Sequence, residues 1–269
     1  MYAPIRRRFM LAALTAALVS GCAGVPPSNR NIVLVHGAWM GASSWDRVAD
    51  DLRSRGFNVV AVELPGHGKD PTPAEKLTLA GYVDTVVAAL PADGRTVLVG
   101  HSMAGMVISG VAEKAPARLS RLVYLAAYLP NDGDSMYKLS KGDAASLVPK
   151  YWTQADAKNH SPASIRAEGI VETFCADCGP AERAYLAGSH KAEAVRPLGT
   201  PLKLSAANFG SVPRVYVHTR RDNAVTFPFQ QAMLQKAGGA ALVLELDSSH
   251  APMLSQPAKL ADAIAAAAR

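Results

Sequence analysis

Val97-Leu98-Val99-Gly100-His101-Ser102-Met103-Ala104-Gly105 decides how this 269-residue chain is read. Residues 96–99 are β-prone or apolar and stop at Gly100. Beyond Ser102, Met103, Met106, Val107, Gly110 and Val111 recur at the spacing of a packed helix face. The stretch predicts a buried strand, a tight turn centred on Ser102, and a helix. A serine at such a junction has a chemical use. The turn lifts its Oγ clear of the sheet, and the helix start offers backbone N–H groups to a developing negative charge. Crowding in the turn demands small neighbours, which Gly100, Ala104 and Gly105 supply. The string is G-x-S-x-A-G, one methyl from the usual G-x-S-x-G.

Outward from this turn, strand and helix alternate. Strands are predicted at residues 31–36, 57–62, 96–99, 121–126, 212–218 and 241–246, with helices at 44–55, 77–90, 227–236 and 256–268 besides the one after Ser102. In the first helix Ser43 is placed to cap, Trp45, Val48, Ala49 and Leu52 face inward, and Gly56 stops it. Short apolar strands separated by helices predict an α/β fold with a mostly parallel central sheet covered on both faces. Across residues 132–207 the alternation gives way to helical, polar, Pro- and Gly-punctuated sequence. This reads as a helical lid inserted over the carboxyl ends of the strands, where open sheets of this class bind ligands. Residues 31–269 then form one domain.

A serine hydroxyl is a weak nucleophile near neutral pH, so Ser102 needs a base, and the base needs an acid to hold its tautomer. Of seven histidines, His250 follows the final strand, ahead of the last helix. His36 and His101 flank turns, His67 sits in Pro65-Gly66-His67-Gly68, His160 and His190 fall in the insertion, and His218 ends a strand. Asp222 follows the strand before the histidine strand, so both loops open on one edge and the chain order Ser…Asp…His holds. Asp132 and Asp134, after the strand that follows the nucleophile, are the alternative acids. Two backbone donors are expected for an oxyanion, from Met103 and from Ala38 in His36-Gly37-Ala38-Trp39. His36, Gly37, Trp39, His101, Tyr128 and Trp152 are pocket candidates. Met136, Tyr137 and Phe174 serve equally as pocket wall or lid core.

The first residues read separately. Arg6-Arg7-Arg8 precede an apolar run over residues 9–19 and then Ser20-Gly21-Cys22, an export signal too short to span a bilayer. Val19-Ser20-Gly21-Cys22 resembles the bacterial lipoprotein box, and the paired arginines resemble a Tat signal. The expectation is a signal over 1–21, acylation of Cys22, a tether over 22–30, and an envelope location with a lipid anchor as the only membrane contact. Processing there removes three arginines and no acids, lowering the net charge from +6 to +3 and leaving no basic cluster suited to nucleic acid. Cys175 and Cys178 then remain, spaced for a short-loop disulfide or left as two buried thiols. No four-ligand metal set accompanies them.

Four stretches together resemble the α/β-hydrolase superfamily, in detail the plant methylesterase and hydroxynitrile lyase group and its bacterial relatives. They are Val33-Leu34-Val35-His36-Gly37-Ala38-Trp39, the Ser102 stretch, Tyr124-Leu125-Ala126-Ala127-Tyr128-Leu129-Pro130, and Phe209-Gly210-Ser211-Val212-Pro213-Arg214-Val215-Tyr216-Val217. The resemblance covers residues from Asn31 onward and is weakest in the insertion. It implies a triad of Ser102, Asp222 and His250, oxyanion binding by the Ala38 and Met103 amides, and no cofactor. The lyases of that group place a threonine at the position of Gly37 and a lysine at that of Ala251, the lysine handling the cyanide charge. Their absence favours hydrolysis of a small or medium carboxylic ester. A carbon–carbon lyase on the same triad and a non-catalytic ligand-binding lipoprotein are the rival expectations.

Overall fold

The computed structural model describes Met1 and residues 31–269. The expected export signal, the tether and Cys22 lie outside the described residues. Strands β1 (Asn31–Val35), β2 (Asn58–Val62), β3 (Thr96–His101) and β4 (Leu119–Leu125) come first. Then follow the short β5 (Trp152–Gln154) and β6 (Ala163–Ile165), and finally β7 (Arg214–Thr219) and β8 (Leu242–Leu246). Six of them form one sheet in the order β2-β1-β3-β4-β7-β8, and every pairing is parallel. β1 and β3 are buried at every residue, as their unbroken apolar runs require at the centre of a doubly covered sheet. The edge strand β8 alternates instead and leaves Val243 exposed, so the covering of both faces ends before that edge.

Helix α1 (Asp46–Ser54) packs with the C-terminal helix Pro257–Ala267, and α2 (Leu79–Ala89) packs with α3 (Ala104–Lys114). Right-handed crossovers step from β1 to β2 in one direction and from β2 through β3 to β4 in the other, which assigns the two helix pairs to opposite faces. The reversal lies between β1 and β3. That switch point opens a crevice at the carboxyl ends of both strands, into which β1 runs out at Gly37 and β3 at Ser102.

Large side chains fill the interior, and two buried tyrosines pair their hydroxyls. The Tyr124 hydroxyl shares a 2.7 Å hydrogen bond with Ser109 Oγ, and Tyr216 donates to the Ala127 carbonyl at 2.6 Å. One capping expectation fails. A 3₁₀ turn, Ala42–Trp45, leads into α1, so Ser43 stands outside the helix and bonds the Tyr185 hydroxyl at 2.7 Å. Capping occurs at α2, where Thr78 Oγ1 accepts from the Gly81 N–H at 3.0 Å.

The excursion between β4 and β7 leaves and returns at one place. Gly133 N–H donates to the Leu202 carbonyl at 2.8 Å and Leu202 N–H to the Asp134 carbonyl at 2.9 Å. The insertion is not purely helical: β5 and β6 form an antiparallel pair within it. Among the described residues no helix is long and apolar enough to cross a membrane.

Candidate active site

Ser102 sits at φ +56°, a left-handed conformation that costs a side-chain-bearing residue on the order of 1–3 kcal/mol. Its surroundings over-determine it. Its N–H donates to the Leu125 carbonyl, and its carbonyl accepts from the Gly105 and Tyr128 amides, each at 3.1 Å. A Cβ on Gly105 would stand 2.0 Å from the Tyr128 carbonyl oxygen, whereas the Ala104 methyl is fully buried without such a conflict. Glycine is therefore demanded one position later than the usual pattern has it, where the turn meets the exit of β4.

His250 and Asp222 come together as the chain order implies. Nδ1 of His250 is 2.7 Å from Oδ2 of Asp222, with both side chains almost wholly buried. Asp222 is held on all sides. Oδ1 accepts from the Ala224 and Val225 amides at 2.8 and 2.9 Å, and Oδ2 from Thr219 Oγ1 and Gln230 Nε2 at 2.8 and 3.1 Å. The carboxylate thus orders the Nδ1–H tautomer and leaves Nε2 as a lone-pair base. His101 supports the ring from behind, its centroid 4.5 Å away, and its Nε2–H donates to the His250 carbonyl at 2.9 Å. Burial and the neighbouring His250 hold His101 well below the ordinary histidine range, so it stays neutral. No hydrogen bond joins Ser102 Oγ to His250 among the described residues.

The loop after β1 closes the other side. A Cβ on Gly37 would lie 2.9 Å from both Ser102 Cβ and His101 Nδ1, so glycine permits the approach of this loop to the serine. His36 bonds the Gly37 carbonyl through Nδ1 at 2.8 Å and accepts the Leu64 N–H at Nε2 at 3.2 Å. These roles require a neutral ring, and burial followed by the nearby His67 pushes its pKa down to about 3. Holding the Gly37 carbonyl turns the Ala38 N–H of the same trans peptide the opposite way. Among the described residues neither the Ala38 nor the Met103 N–H donates to a protein acceptor, and both remain available to an oxyanion.

The remaining candidates disperse. Tyr128 and Trp152 line a cavity of about 300 Å³ with Met136, Tyr137, Ser146 and Leu198, and the Tyr128 amide is one of the two bonded to the Ser102 carbonyl. Trp152, Tyr137 and Leu198 also border an adjoining cavity of about 700 Å³. His36 and His101 are buried behind the loops and line neither of these two cavities. Gly37 and Trp39 likewise fall outside both linings, with Trp39 packed against Phe174 at 5.5 Å. His218 bonds Gln230, Asp134 pairs with Lys138 at 2.9 Å, and Asp132 accepts the Leu204 N–H, which takes all three away from His250. His190, from the insertion, is half-buried and stacks on Trp39 at 6.1 Å. Cys175 and Cys178 are disulfide-bonded beneath the Ala251 carbonyl. With Asp177 they make the one grouping of metal-ligand types among the described residues, and the disulfide occupies both sulfurs.

Sequence reading missed Thr219 and Gln230, which brace Asp222, and the buried pair of His67 and Glu193 at 2.7 Å. Thr219 and Gln230 flank Asp222 closely enough for their polarity beside a buried strand end to have been a signal. His67 and Glu193 are 126 residues apart, and no local pattern marks them.

Comparison with known proteins agrees with this fold. The family model described as "Alpha/beta hydrolase family" matches residues 32–263. Methylesterase 2 of Arabidopsis thaliana is 28% identical over 256 residues, which cover 89% of this chain and 96% of that protein. An alpha-hydroxynitrile lyase of the same plant is 31% identical over 254 residues, 88% of this chain and 96% of its own. The chain spans a smaller share, 62%, of that plant's putative methylesterase 11, with 29% identity over 86% of this chain. Among solved structures, polyneuridine aldehyde esterase superposes with a TM-score of 0.80 at 25% identity, over 90% of this chain and 100% of that one.

Proposed function

The chain belongs to the alpha/beta hydrolase family, and from that premise we propose that it is a serine carboxylesterase acting on a small or medium ester. The observation that carries the reading is the convergence of the strained Ser102, the Asp222–His250 pair and the open Ala38 and Met103 amides on one sheet edge. Ser102 Oγ attacks the ester carbonyl while His250 Nε2 takes its proton, and this contact tightens when substrate binds. The carbonyl oxygen, now negative, receives the two amides. Collapse breaks the ester C–O bond, and the His250 proton leaves with the alcohol. Water then attacks the acyl-enzyme, again deprotonated by His250. The carboxylic acid departs as the proton returns to Ser102. The similarity to enzymes named methylesterase and polyneuridine aldehyde esterase supports ester chemistry. The 300 Å³ cavity beside Tyr128, under the insertion acting as a lid, suits a compact substrate.

The 31% identity to an alpha-hydroxynitrile lyase keeps carbon–carbon cleavage as the second reading, against which stand Gly37 and Ala251. Turnover of p-nitrophenyl acetate and butyrate by wild type and Ser102→Ala decides between them. Turnover abolished by the substitution supports the esterase. Persistence in Ser102→Ala removes the nucleophile, and inertness of the wild type toward esters, with cleavage of a cyanohydrin, selects the lyase. Ligand binding without either reaction selects a binding protein. For the N-terminal segment the proposal is acylation at Cys22 in a bacterial envelope. Cys22→Ser is expected to accumulate unprocessed precursor without lipid label, and normal maturation of that variant refutes the anchor.

A further inference from the structure

Trp39, directly after the Ala38 amide, is a bulky residue at φ +61°, where only external constraint keeps such a side chain. The constraint comes from the insertion. Its N–H donates to Glu193 Oε2 at 3.3 Å, its carbonyl accepts the Lys191 N–H at 3.1 Å, and its indole N–H donates to the Ala163 carbonyl at 3.1 Å. Glu193 is fully buried, and its other oxygen accepts the Tyr82 hydroxyl at 3.3 Å. A lone buried carboxylate one peptide from an oxyanion site would oppose the charge that site must hold. It is not alone. His67 Nε2 lies 2.7 Å from it, while Nδ1 faces the Pro65 carbonyl at 3.0 Å. Both ring nitrogens meet acceptors, so the ring carries two protons and a positive charge.

We infer that Glu193 is a positioning residue for the Ala38 amide, delivered by the insertion, and that His67 is the countercharge that lets a carboxylate occupy this place. The inference rests on the esterase reading. Glu193 holds the Trp39 amide and His36 holds the Gly37 carbonyl, so the two peptides on either side of Ala38 are gripped from opposite sides. Assembly of the oxyanion site thereby depends on the insertion being seated, although Glu193 touches no reacting atom. Burial works against the His67 charge, and the charge and hydrogen bond of Glu193 outweigh it, leaving its pKa above the ordinary 6.5.

The test compares wild type, Glu193→Ala and Glu193→Gln on p-nitrophenyl butyrate, with inhibition by an aryl trifluoromethyl ketone whose serine adduct carries an oxyanion. Glu193→Ala is expected to lower kcat at least about tenfold with KM within about threefold, and to weaken the ketone by a similar factor. Glu193→Gln with its amide oxygen at the Oε2 position still accepts from both the Trp39 amide and His67 Nε2–H, its NH2 facing the Tyr82 hydroxyl, and is expected to recover to within about threefold of wild type. Should Glu193→Ala not fold, His67→Gln, which strands the Glu193 charge, is expected to show the same loss of kcat at constant KM. Wild-type kcat in whichever of these two variants folds, or a loss of kcat without weaker ketone binding, overturns the inference alone. An inert wild type overturns the esterase reading and this inference with it.

Discussion

Nδ1 of His250 and Oδ2 of Asp222 stand 2.7 Å apart, although 28 residues and an entire helix and strand separate them in the chain. Four other donors converge on the same carboxylate, so its orientation is set before substrate arrives. Asp222→Asn presents an amide where an acceptor is needed and favours the wrong imidazole tautomer. The expected outcome is a loss of kcat of roughly 10³–10⁴ with KM little altered, measured on p-nitrophenyl butyrate. A variant retaining a tenth of wild-type kcat would mean that another group holds the imidazole.

Gly37 supplies the second prediction. Because a methyl there meets Ser102 Cβ and His101 Nδ1 at 2.9 Å, the loop after β1 has to retreat from the serine to accept it. Gly37→Ala is expected to cut kcat by about 10²–10³, the scale of losing one oxyanion donor. A threonine at this position, as in the lyases, is expected to impair ester turnover without creating cyanohydrin cleavage, since Ala251 still lacks an amine. Unimpaired ester turnover by Gly37→Ala contradicts the close approach.

The histidines make stability depend on pH in two opposing ways. Burial, with His67 nearby, lowers His36 to about 3, and burial lowers His190 to about 4. Below 6.5 the unfolded chain takes up protons that these folded rings refuse. Stability therefore falls as the pH drops, by about 1.4 kcal/mol per pH unit for a fully buried ring such as His36. His67 runs the other way: facing Glu193, Glu63, Tyr82 and His36, its pKa is raised. Its contribution is complete below 6.5 and is lost as the pH rises through the folded value. Differential scanning calorimetry is expected to show Tm falling on the acid side. The gap between wild type and His67→Gln is expected to narrow as the pH rises from 6.5 through the folded value. A gap constant across that range removes the proposed charge from His67.

The disulfide is the fourth case. Cys175 and Cys178 underlie Ala251, next to His250, and Phe174 packs its ring 5.8 Å from the imidazole. Closing so short a loop restrains the unfolded chain by only about 2 kcal/mol. Reduction is therefore expected to lower Tm by a few degrees while disturbing the His250 loop enough to reduce kcat. Thiol titration of the unfolded, unreduced protein is expected to find neither sulfhydryl. Free thiols at both positions rule the bridge out.

Much of this was written in local pattern. The buried run 96–99 and the helix stripe from Met103 are decided by side-chain size, polarity and spacing, and the structure has the corresponding strand and helix. The insertion resisted reading because its short helices and the β5–β6 pair lack enough periodicity to declare themselves. What tertiary structure alone decided is which distant polar groups share a buried space. Nothing near residue 193 announces that its carboxylate will meet the ring of His67 and the amide of Trp39, because burying a charge is tolerable only once its partners have been folded around it.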